Sequence, residues 1–428
     1  MITTAIILVF VFGYLAIALE HPLKLNKAAS ALITGVVCWT IYMLQSESSH
    51  EVGEELLHHL GEISSILFFL LGAMTIVELI DSHNGFDIIT QKITTASKQK
   101  LLLLVTLITF LLSALLDNLT TAIVMTSLCT KLLREKEDRL WFAGMIVIAA
   151  NAGGAWSPMG DVTTTMLWIG GQVTAMNIIA MLLLPSLVCT IVPLLILSRR
   201  TKGIVQAPAS DASDSKLSTS PRERTTVFIL GLCVLLFVPV FKSLTHLPPF
   251  MGMLLGLGFI WLATELIHSG KDEVEKGTRS VVHAIRKIDT PSILFFLGIL
   301  VAVAAIQSTG LLAQMAAWLD RTIGNITVVV VIIGFLSAIV DNVPLVAAAQ
   351  GMYSLDQFPT DHYFWEFLAY CAGTGGSALI IGSAAGVAAM GMERIDFFWY
   401  LRRITVLAII GYLSGVAVFL LQNMLLHG

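Results

Sequence analysis

The sequence predicts an all-α polytopic membrane protein built from two inverted repeats of five spans each, with re-entrant hairpins and discontinuous helices. Three observations support this prediction: an apolar composition, a repeat between the two halves, and basic residues confined to one face. Of the 428 residues, 56% are hydrophobic and 13% are charged, whereas soluble domains average about 25% charged residues. Apolar runs of roughly the 18 residues that cross a bilayer alternate with short polar connections.

Three sequence blocks occur twice, in the same order. SSILFFLLG at 64–72 resembles PSILFFLGI at 291–299, FLLSALLDNL at 110–119 resembles FLSAIVDNV at 335–343, and NAGGAWSPMG at 151–160 resembles GTGGSALIIG at 373–382. Apolar segments can resemble each other by chance. Two of these blocks, however, are rich in Gly, Asn and Asp, and chance similarity does not explain three blocks in the same order. We therefore predict two related halves, residues 1–198 and 225–428, joined by a cytoplasmic linker at 199–224 whose composition is typical of flexible segments.

The predicted spans follow from the apolar runs. They are 2–19, 28–44, 63–80, 140–169 and 176–198 in the first half, and 226–244, 249–268, 291–309, 363–391 and 397–425 in the second. The first span has no basic residue ahead of it, which favours a membrane helix over a cleaved signal. Gly and Pro within 140–169, and Gly within 363–391, predict that these two helices are broken.

Two further apolar runs, 101–133 and 326–355, each contain an Asp-Asn pair. A straight helix over 101–133 would be about 50 Å long, well beyond a hydrocarbon core of about 30 Å. We predict instead that each run folds back at its Asp-Asn pair as a re-entrant hairpin with two half-length limbs. The first hairpin would then enter from the cytoplasm and the second from outside.

The distribution of Lys and Arg favours these hairpins. With both in place, all 25 basic residues except Lys242 and Arg321 fall on one face, which the positive-inside rule assigns to the cytoplasm. Both termini then lie outside, and an odd number of crossings per half makes the repeats inverted. The outer face collects acids in two predicted loops, which we interpret as solvated: Glu47, Glu51, Glu54, Glu55 and Glu62 in one, Asp356 and Asp361 in the other.

Acids at membrane depth are candidate functional residues because burying a charge there is costly. Asp117 and Asp341 lie at the predicted hairpin tips, and Asp161 follows a Gly/Pro break. Around them are Ser, Thr and Asn residues with few basic partners, and hard cations such as sodium prefer oxygen ligands of this kind. A carboxylate that holds either a proton or a cation makes the two compete, which is the minimum requirement for exchange. We predict that Asp117 and Asp161 carry the exchange and that Asp341 contributes.

Structural roles compete with these assignments. Asn118 and Asn342 could cap the half-helices, and Thr163 and Thr164 could bond backbone instead of a ligand. The pair His58 and His59 could sense pH near neutrality, although a solvated role is the simpler interpretation. The five cysteines lie singly in apolar segments, which favours packing over metal binding or disulfides.

These motifs resemble the NhaD-type sodium/proton antiporters of the ion transporter superfamily. The resemblance is carried by SALLDN paired with SAIVDN, by NAGGAWSPMGDVTTTMLW at 151–168 and by GTGGSALIIGSAAG at 373–386. It implies efflux of sodium or lithium against proton entry, no cofactor, a homodimer with a moving transport domain, and a location in the inner membrane of a bacterium. Together with Asp341, the site residues that it implies are Asp117, Asn118, Asn151, Asp161, Thr163, Thr164, Ser337, Asn342, Ser377 and Ser383. Asp117, Asn118 and Asp161 are the expected sodium ligands.

Other functions are weighed against this one. An anion symporter of the same superfamily, for dicarboxylates or arsenite, is the strongest rival, but three aspartates would repel a carboxylate substrate. No HExxH zinc pattern or GxSxG elbow is present, which disfavours two common classes of hydrolase. An intramembrane aspartyl enzyme would also use paired aspartates, whereas the repeated Asn partners favour ion binding. Nothing in the pattern suggests binding to nucleic acid.

Overall fold

The computed structural model describes residues 2–46, 48–90, 95–205, 220–269 and 277–427. Every regular element within these ranges is a helix, and the β contact that they contain is an isolated antiparallel bridge between Ser97 and Ile204. The all-α prediction is confirmed for these ranges. Residues 206–219 of the predicted linker lie outside them. The linker also ends earlier than predicted, because Pro221 begins a helix, where its fixed φ and missing N–H are tolerated.

The helices follow one another along both halves. Those of the first half are α1 (Ile2–Ala18), α2 (Glu20–Leu23), α3 (Lys27–Gln45), α4 (Ser49–Ser82), α5 (Asp87–Thr90), α6 (Lys98–Leu116), α7 (Asn118–Leu132), α8 (Lys136–Ala155), α9 (Val162–Ile169) and α10 (Ala175–Ser198). Those described in the second half are α11 (Pro221–Thr245), α12 (Pro249–Ile267), α13 (Val281–Lys287), α14 (Thr290–Ser308), α15 (Leu311–Ile323), α16 (Ile326–Leu336), α17 (Asn342–Met352), α18 (Tyr363–Gly375), α19 (Ala384–Glu393), α20 (Phe397–Arg403) and α21 (Thr405–His427).

The chain is a multi-pass membrane protein. Eight helices of the described part are long and apolar enough to cross a bilayer, and a ninth span results if the bent pair α15 and α16 counts as one. The eight are α3, α4, α6, α10, α11, α12, α14 and α21. Three of the ten predicted crossings are missing from this group. Helix α1 is slightly short, and the run 363–391 is broken into shorter helices. In the run 140–169, α8 has 20 residues but begins with four charged ones and is not apolar enough.

The segment predicted as an acidic outer loop is helical. Helix α4 has 34 residues, which makes it about 51 Å long. Four of the five acids lie on it, namely Glu51, Glu54, Glu55 and Glu62, while Glu47 is outside the described residues. His50 lies 3.7 Å from Glu54, and His58 lies 3.6 Å from Glu62. Such pairs, four residues apart, stabilise a polar helix that apolar periodicity does not reveal.

Helix α15 of the second half was not among the predicted spans. Helix α15 is amphipathic, with Leu312 and Ala316 buried and Trp318 exposed, so its composition is too mixed to predict a span. It meets α16 at an angle of 116°, where Gly324 has a φ of 63° that favours glycine. The predicted last span, 397–425, is also two helices, α20 and α21, that meet at Ile404.

The breaks fall where the sequence predicts them. Asp117 separates α6 from α7, residues 156–161 separate α8 from α9, residues 337–341 separate α16 from α17, and residues 376–383 separate α18 from α19. Helices α16 and α17 have 11 residues each, or about 16 Å, which is half a hydrocarbon core. Helix α6, with 19 residues, is about 28 Å long, so the half-length prediction is wrong for this limb.

Packing between the helices brings the breaks together. Helices α6 and α7 pack on each other and on α8, and α19 packs on both α7 and α8. Helix α17 packs on α9 and α14, and α16 packs on α18. A separate apolar cluster joins α1, α3 and α14. Helix α17 of the second half therefore lies between α9 and α14.

Candidate functional site

The carboxylate of Asp161 is the centre of a polar network. Asp161 precedes α9, is 1% exposed, and accepts hydrogen bonds from the backbone N–H and the hydroxyl of Thr163 at 2.9 and 2.8 Å. The side-chain amide of Asn118 donates to its Oδ2 at 2.7 Å. The amide of Asn342 donates to both carboxylate oxygens at 3.3 Å. One buried acid is thus contacted from the break in α6–α7 and from the break in α16–α17.

Asn151 extends this network into the second half. Its Oδ1 accepts from Asn118 at 3.1 Å, and its Nδ2 donates to the hydroxyls of Ser377 and Ser383 at 2.9 and 2.8 Å. All four side chains are buried. Asn151 lies in the last turns of α8, and the two serines lie within the break between α18 and α19. Side-chain hydrogen bonds from Asn118, Asn151 and Asp161 therefore join the breaks at α6–α7, α8–α9 and α18–α19. The bonds from Asn342 to Asp161 add the break at α16–α17.

Asp117 lies in a strained turn beside this network. Its φ of 96° is unusual for a residue with a side chain and indicates a conformation that the surrounding structure enforces. Its carboxylate accepts from the backbone N–H and the hydroxyl of Thr120 at 2.8 and 2.9 Å, which caps α7. Asp341 caps α17 in the same way, through the N–H of Val343 at 3.2 Å. The caps are therefore the aspartates, and the alternative that Asn118 and Asn342 are the caps is wrong.

A cavity of about 50 Å³ connects the three aspartates. Its polar and charged lining residues are Lys27, Asp117, Asn118, Asp161, Thr165, Ser292, Asp341 and Asn342. A water molecule occupies about 30 Å³ of liquid, so the cavity suits a small cation with few waters. Ligand pockets for larger organic molecules usually exceed about 300 Å³. Carboxylate and amide oxygens are ligands that hard cations prefer.

Two of the predicted site residues, Thr164 and Ser337, bond to backbone oxygens, and the two histidines considered as pH sensors lie elsewhere. The hydroxyl of Thr164 donates to the backbone oxygen of Asp161 at 2.9 Å, and that of Ser337 donates to the backbone oxygen of Ala372 at 2.7 Å. These bonds support the breaks. His58 and His59 lie on α4, away from the aspartates, each within 3.7 Å of Glu62. His59 lines a second cavity of about 390 Å³ on the other side of α9 and α17.

One residue at the site was missed by the sequence reasoning. The ammonium of Lys27 lies 3.8 Å from Oδ2 of Asp341, with side chains 26% and 19% exposed. The expectation that the site has few basic partners is therefore incomplete. Lys27 was assigned to the cytoplasmic face by charge alone, and no local pattern links it to a residue more than 300 positions away.

Comparison with known proteins identifies relatives over nearly the whole chain. A family model described as "Citrate transporter" matches residues 6–365. The chain is 49% identical to "Sodium/proton antiporter 1" of Arabidopsis thaliana over 97% of this chain and 72% of that protein. It is 31% identical to "Na(+)/H(+) antiporter NhaD" of Alkalimonas amylolytica, over 97% and 90% of the two chains. A protein of the same name from Vibrio cholerae is 31% identical, over 98% and 91%.

These matches identify the chain as a transporter and not as an enzyme. They extend across the breaks and the aspartate cavity, and they agree with the motif resemblance of the paired Asp-Asn blocks. The chain belongs to the NhaD-type sodium/proton antiporter family, within the larger family that the citrate transporter model describes.

Proposed function

We propose that this protein exchanges cytoplasmic Na⁺ or Li⁺ for external H⁺ and so supports sodium and pH homeostasis. The observation that carries the proposal is the buried carboxylate of Asp161, held by neutral donors from breaks in both halves. The relatives' names, which describe sodium/proton antiporters, support the same proposal. No cofactor is required, because the carboxyl group of Asp161 would alternate between a protonated form and a cation-bound form.

In this mechanism the proton and the cation alternate on the aspartates. Asp161 and Asp117 would supply carboxylate oxygens, and Asn118 and Asn342 would turn their amide oxygens toward a cation. The neutral donors now on Asp161 compensate its charge when no cation is bound. Asn151, Ser377 and Ser383 would hold Asn118 in position. Binding either a proton or a cation, but not both, couples the two fluxes.

The first test is proton movement in everted membrane vesicles from cells that lack other antiporters. After respiration acidifies the lumen, added NaCl or LiCl should alkalinise it, and KCl should not. Asp117→Asn and Asp161→Asn should abolish the response, while Asp356→Asn, which changes an exposed aspartate, should leave it intact. A wild-type protein that gives no cation response anywhere from pH 7 to 10 would refute the proposal.

We also propose that the halves are inverted repeats. Matching contacts in the two halves support this. The hydroxyl of Ser113 donates to the backbone oxygen of Ala150 at 2.5 Å, and that of Ser337 donates to the backbone oxygen of Ala372 at 2.7 Å. Each serine lies four residues before the aspartate of its Asp-Asn pair. Each bond therefore joins a hairpin limb to the broken helix of the same half.

Glycine contacts support the same proposal. A Cβ at Gly153 would collide with the backbone oxygen of Phe110, and a Cβ at Gly375 would collide with that of Gly334. Both glycines lie at the corresponding place in the NAGG and GTGG blocks. Close approach of the same two elements in both halves fits paired re-entrant hairpins against paired broken helices.

Sidedness, location and assembly complete the proposal. Basic residues facing the cytoplasm would place both termini outside, which reporter fusions at each terminus would test.

Inner-membrane location in a bacterium is proposed from the NhaD resemblance. The relatives include plant and bacterial proteins, so localisation of a fluorescent fusion is the direct test. The homodimer is proposed on the same resemblance, and the mass of the purified protein in detergent would test it.

A cation-coupled anion transporter is the second candidate function. The description of the matching family model favours it. The size of the aspartate cavity, about 50 Å³, and its carboxylates disfavour a dicarboxylate or citrate. Uptake of labelled citrate, succinate or arsenite into proteoliposomes, driven by a sodium or proton gradient, distinguishes the two. Anion uptake without cation/proton exchange would support the second candidate.

A further inference from the structure

Lys27 and Asp341 form an ion pair between two parts of the protein. Lys27 is the first residue of α3, and Asp341 precedes α17. The two charged atoms are 3.8 Å apart, and both side chains are partly buried. The Lys27 ammonium also lies over the ring of Phe295, 4.4 Å from its centroid. The Lys27 ammonium therefore makes both an ion pair with Asp341 and a cation–π contact with Phe295.

The pair lies at the boundary between two cavities. One is the aspartate cavity, where Lys27 faces Asp117, Asp161 and Asp341. The other, of about 70 Å³, is lined by Tyr14, Glu20, Lys27, Asp341 and Ser383 among its polar groups. The carboxylate of Glu20 accepts from the backbone N–H of Lys27 at 3.3 Å. A second acid is thus within reach if the ammonium leaves Asp341.

We propose that Lys27 is a tethered competitor of the transported cation at Asp341. This inference rests on the proposed function, because it concerns the same site. An ammonium and a sodium ion carry the same charge, so a sodium ion would compete with Lys27 for Oδ2 of Asp341. An arriving cation must displace Lys27 toward Glu20 and Phe295, and when the cation leaves, Lys27 returns. Lys27 is therefore an affinity-setting residue.

The proposal predicts the direction of change in sodium affinity. Removing the charge in Lys27→Gln or Lys27→Met should lower the apparent Kd for sodium by roughly two- to fivefold, because partly exposed ion pairs are weak. Lys27→Arg should keep the wild-type value. The control is Lys24→Gln, which removes an exposed lysine of the same segment and should leave the Kd unchanged. A merely structural lysine would lower protein yield without tightening sodium binding.

The experiment is ²²Na⁺ binding to the purified full-length chain by scintillation proximity at pH 9, where protons compete least. Tighter binding in Lys27→Gln and Lys27→Met, with no further effect of either change in an Asp341→Asn background, is the expected result. Unchanged or weaker binding in both variants would overturn the inference while wild-type binding upholds the proposed function. If one variant fails to fold, the other decides. Absence of sodium binding by the wild type would overturn the proposed function and this inference together.

Discussion

The side-chain amide of Asn342 contacts both carboxylate oxygens of Asp161 at 3.3 Å, although the two residues are 181 positions apart. Asn342 begins α17 in the second half, and Asp161 precedes α9 in the first. Asn118 makes the equivalent contact from its own half at 2.7 Å. A cation site at Asp161 therefore depends on both halves, which makes each asparagine a separate test of the site.

Replacing Asn342 with alanine should weaken sodium binding without unfolding the protein. Loss of one amide next to Asp161 should raise the KM for sodium about five- to tenfold, equivalent to about 1–1.4 kcal/mol. The vesicle assay at several NaCl concentrations measures this change. Asn325→Ala is the matched control, because Asn325 caps α16 at the other end of the same hairpin. Asn325→Ala should lower stability by about 1 kcal/mol and leave the KM for sodium unchanged. If both variants raised this KM equally, the proposed role of Asn342 in sodium binding would be contradicted.

Gly375→Ala should destabilise the protein strongly. Its Cβ would collide with the backbone oxygen of Gly334, and overpacking of this kind costs about 1–3 kcal/mol. Thermal unfolding of the purified protein in detergent measures the loss. Gly391→Ala is the control, since a Cβ there meets nothing within 4 Å and alanine favours the helix by about 1 kcal/mol. A Gly375→Ala protein as stable as wild type would rule out the close contact between α16 and α18.

Arg139→Ala should destabilise the protein, because Arg139 pairs with Glu393, a buried acid outside the cation site. Glu393 is 4% exposed in its side chain and accepts from Arg139 at 2.9 Å and from Thr130 at 2.8 Å. Removing the arginine leaves a buried carboxylate without its cation, which should lower the free energy of unfolding by about 3 kcal/mol. Glu393→Gln in the same background should restore much of it. Thermal unfolding measures both, and Lys136→Ala, at an exposed lysine of α8, should change little.

His83 should make the folded protein sensitive to acid. It lies just beyond the end of α4, stacked on His268 at 5.3 Å, with Nδ1 2.8 Å from the backbone oxygen of Leu79. Burial lowers the pKa of His83 to about 4; the hydrogen bond to the backbone oxygen of Leu79 opposes this shift, and His268 and Arg279 add smaller lowering contributions. The unfolded chain therefore binds a proton below pH 6.5 that the folded protein does not bind.

The sign of this linkage is a loss of stability as the pH falls. At pH 5 the loss attributable to His83 should be about 2 kcal/mol relative to pH 7.5. His83→Gln should have a flatter dependence of the unfolding temperature on pH between these values. His246→Gln is the control, because His246 is exposed. Identical pH dependence in wild type and His83→Gln would contradict the prediction.

The sequence by itself determined the class of protein, the position of most membrane spans, and the residue types of the candidate site. The composition and length of an apolar run determine whether that segment is stable in lipid, and this depends only on the residues of the segment itself. The breaks at Asp117, Asp161 and Asp341 were also predictable, because Gly, Pro and Asp-Asn pairs interrupt a helix locally. The polar helix over 49–62 was missed because its stability comes from side-chain pairs, not from apolar periodicity.

Only the tertiary structure decided which of these groups meet. The contacts of Asn342 with Asp161 and of Asn151 with Ser377 and Ser383 join residues 181 to 232 positions apart. The same packing brings Lys27 to Asp341. Such contacts depend on how helices cross and how closely glycines let their backbones approach, and no local pattern records that geometry. The sequence therefore specifies the chemistry of the site, and the packing of α7, α9 and α17 specifies its partners.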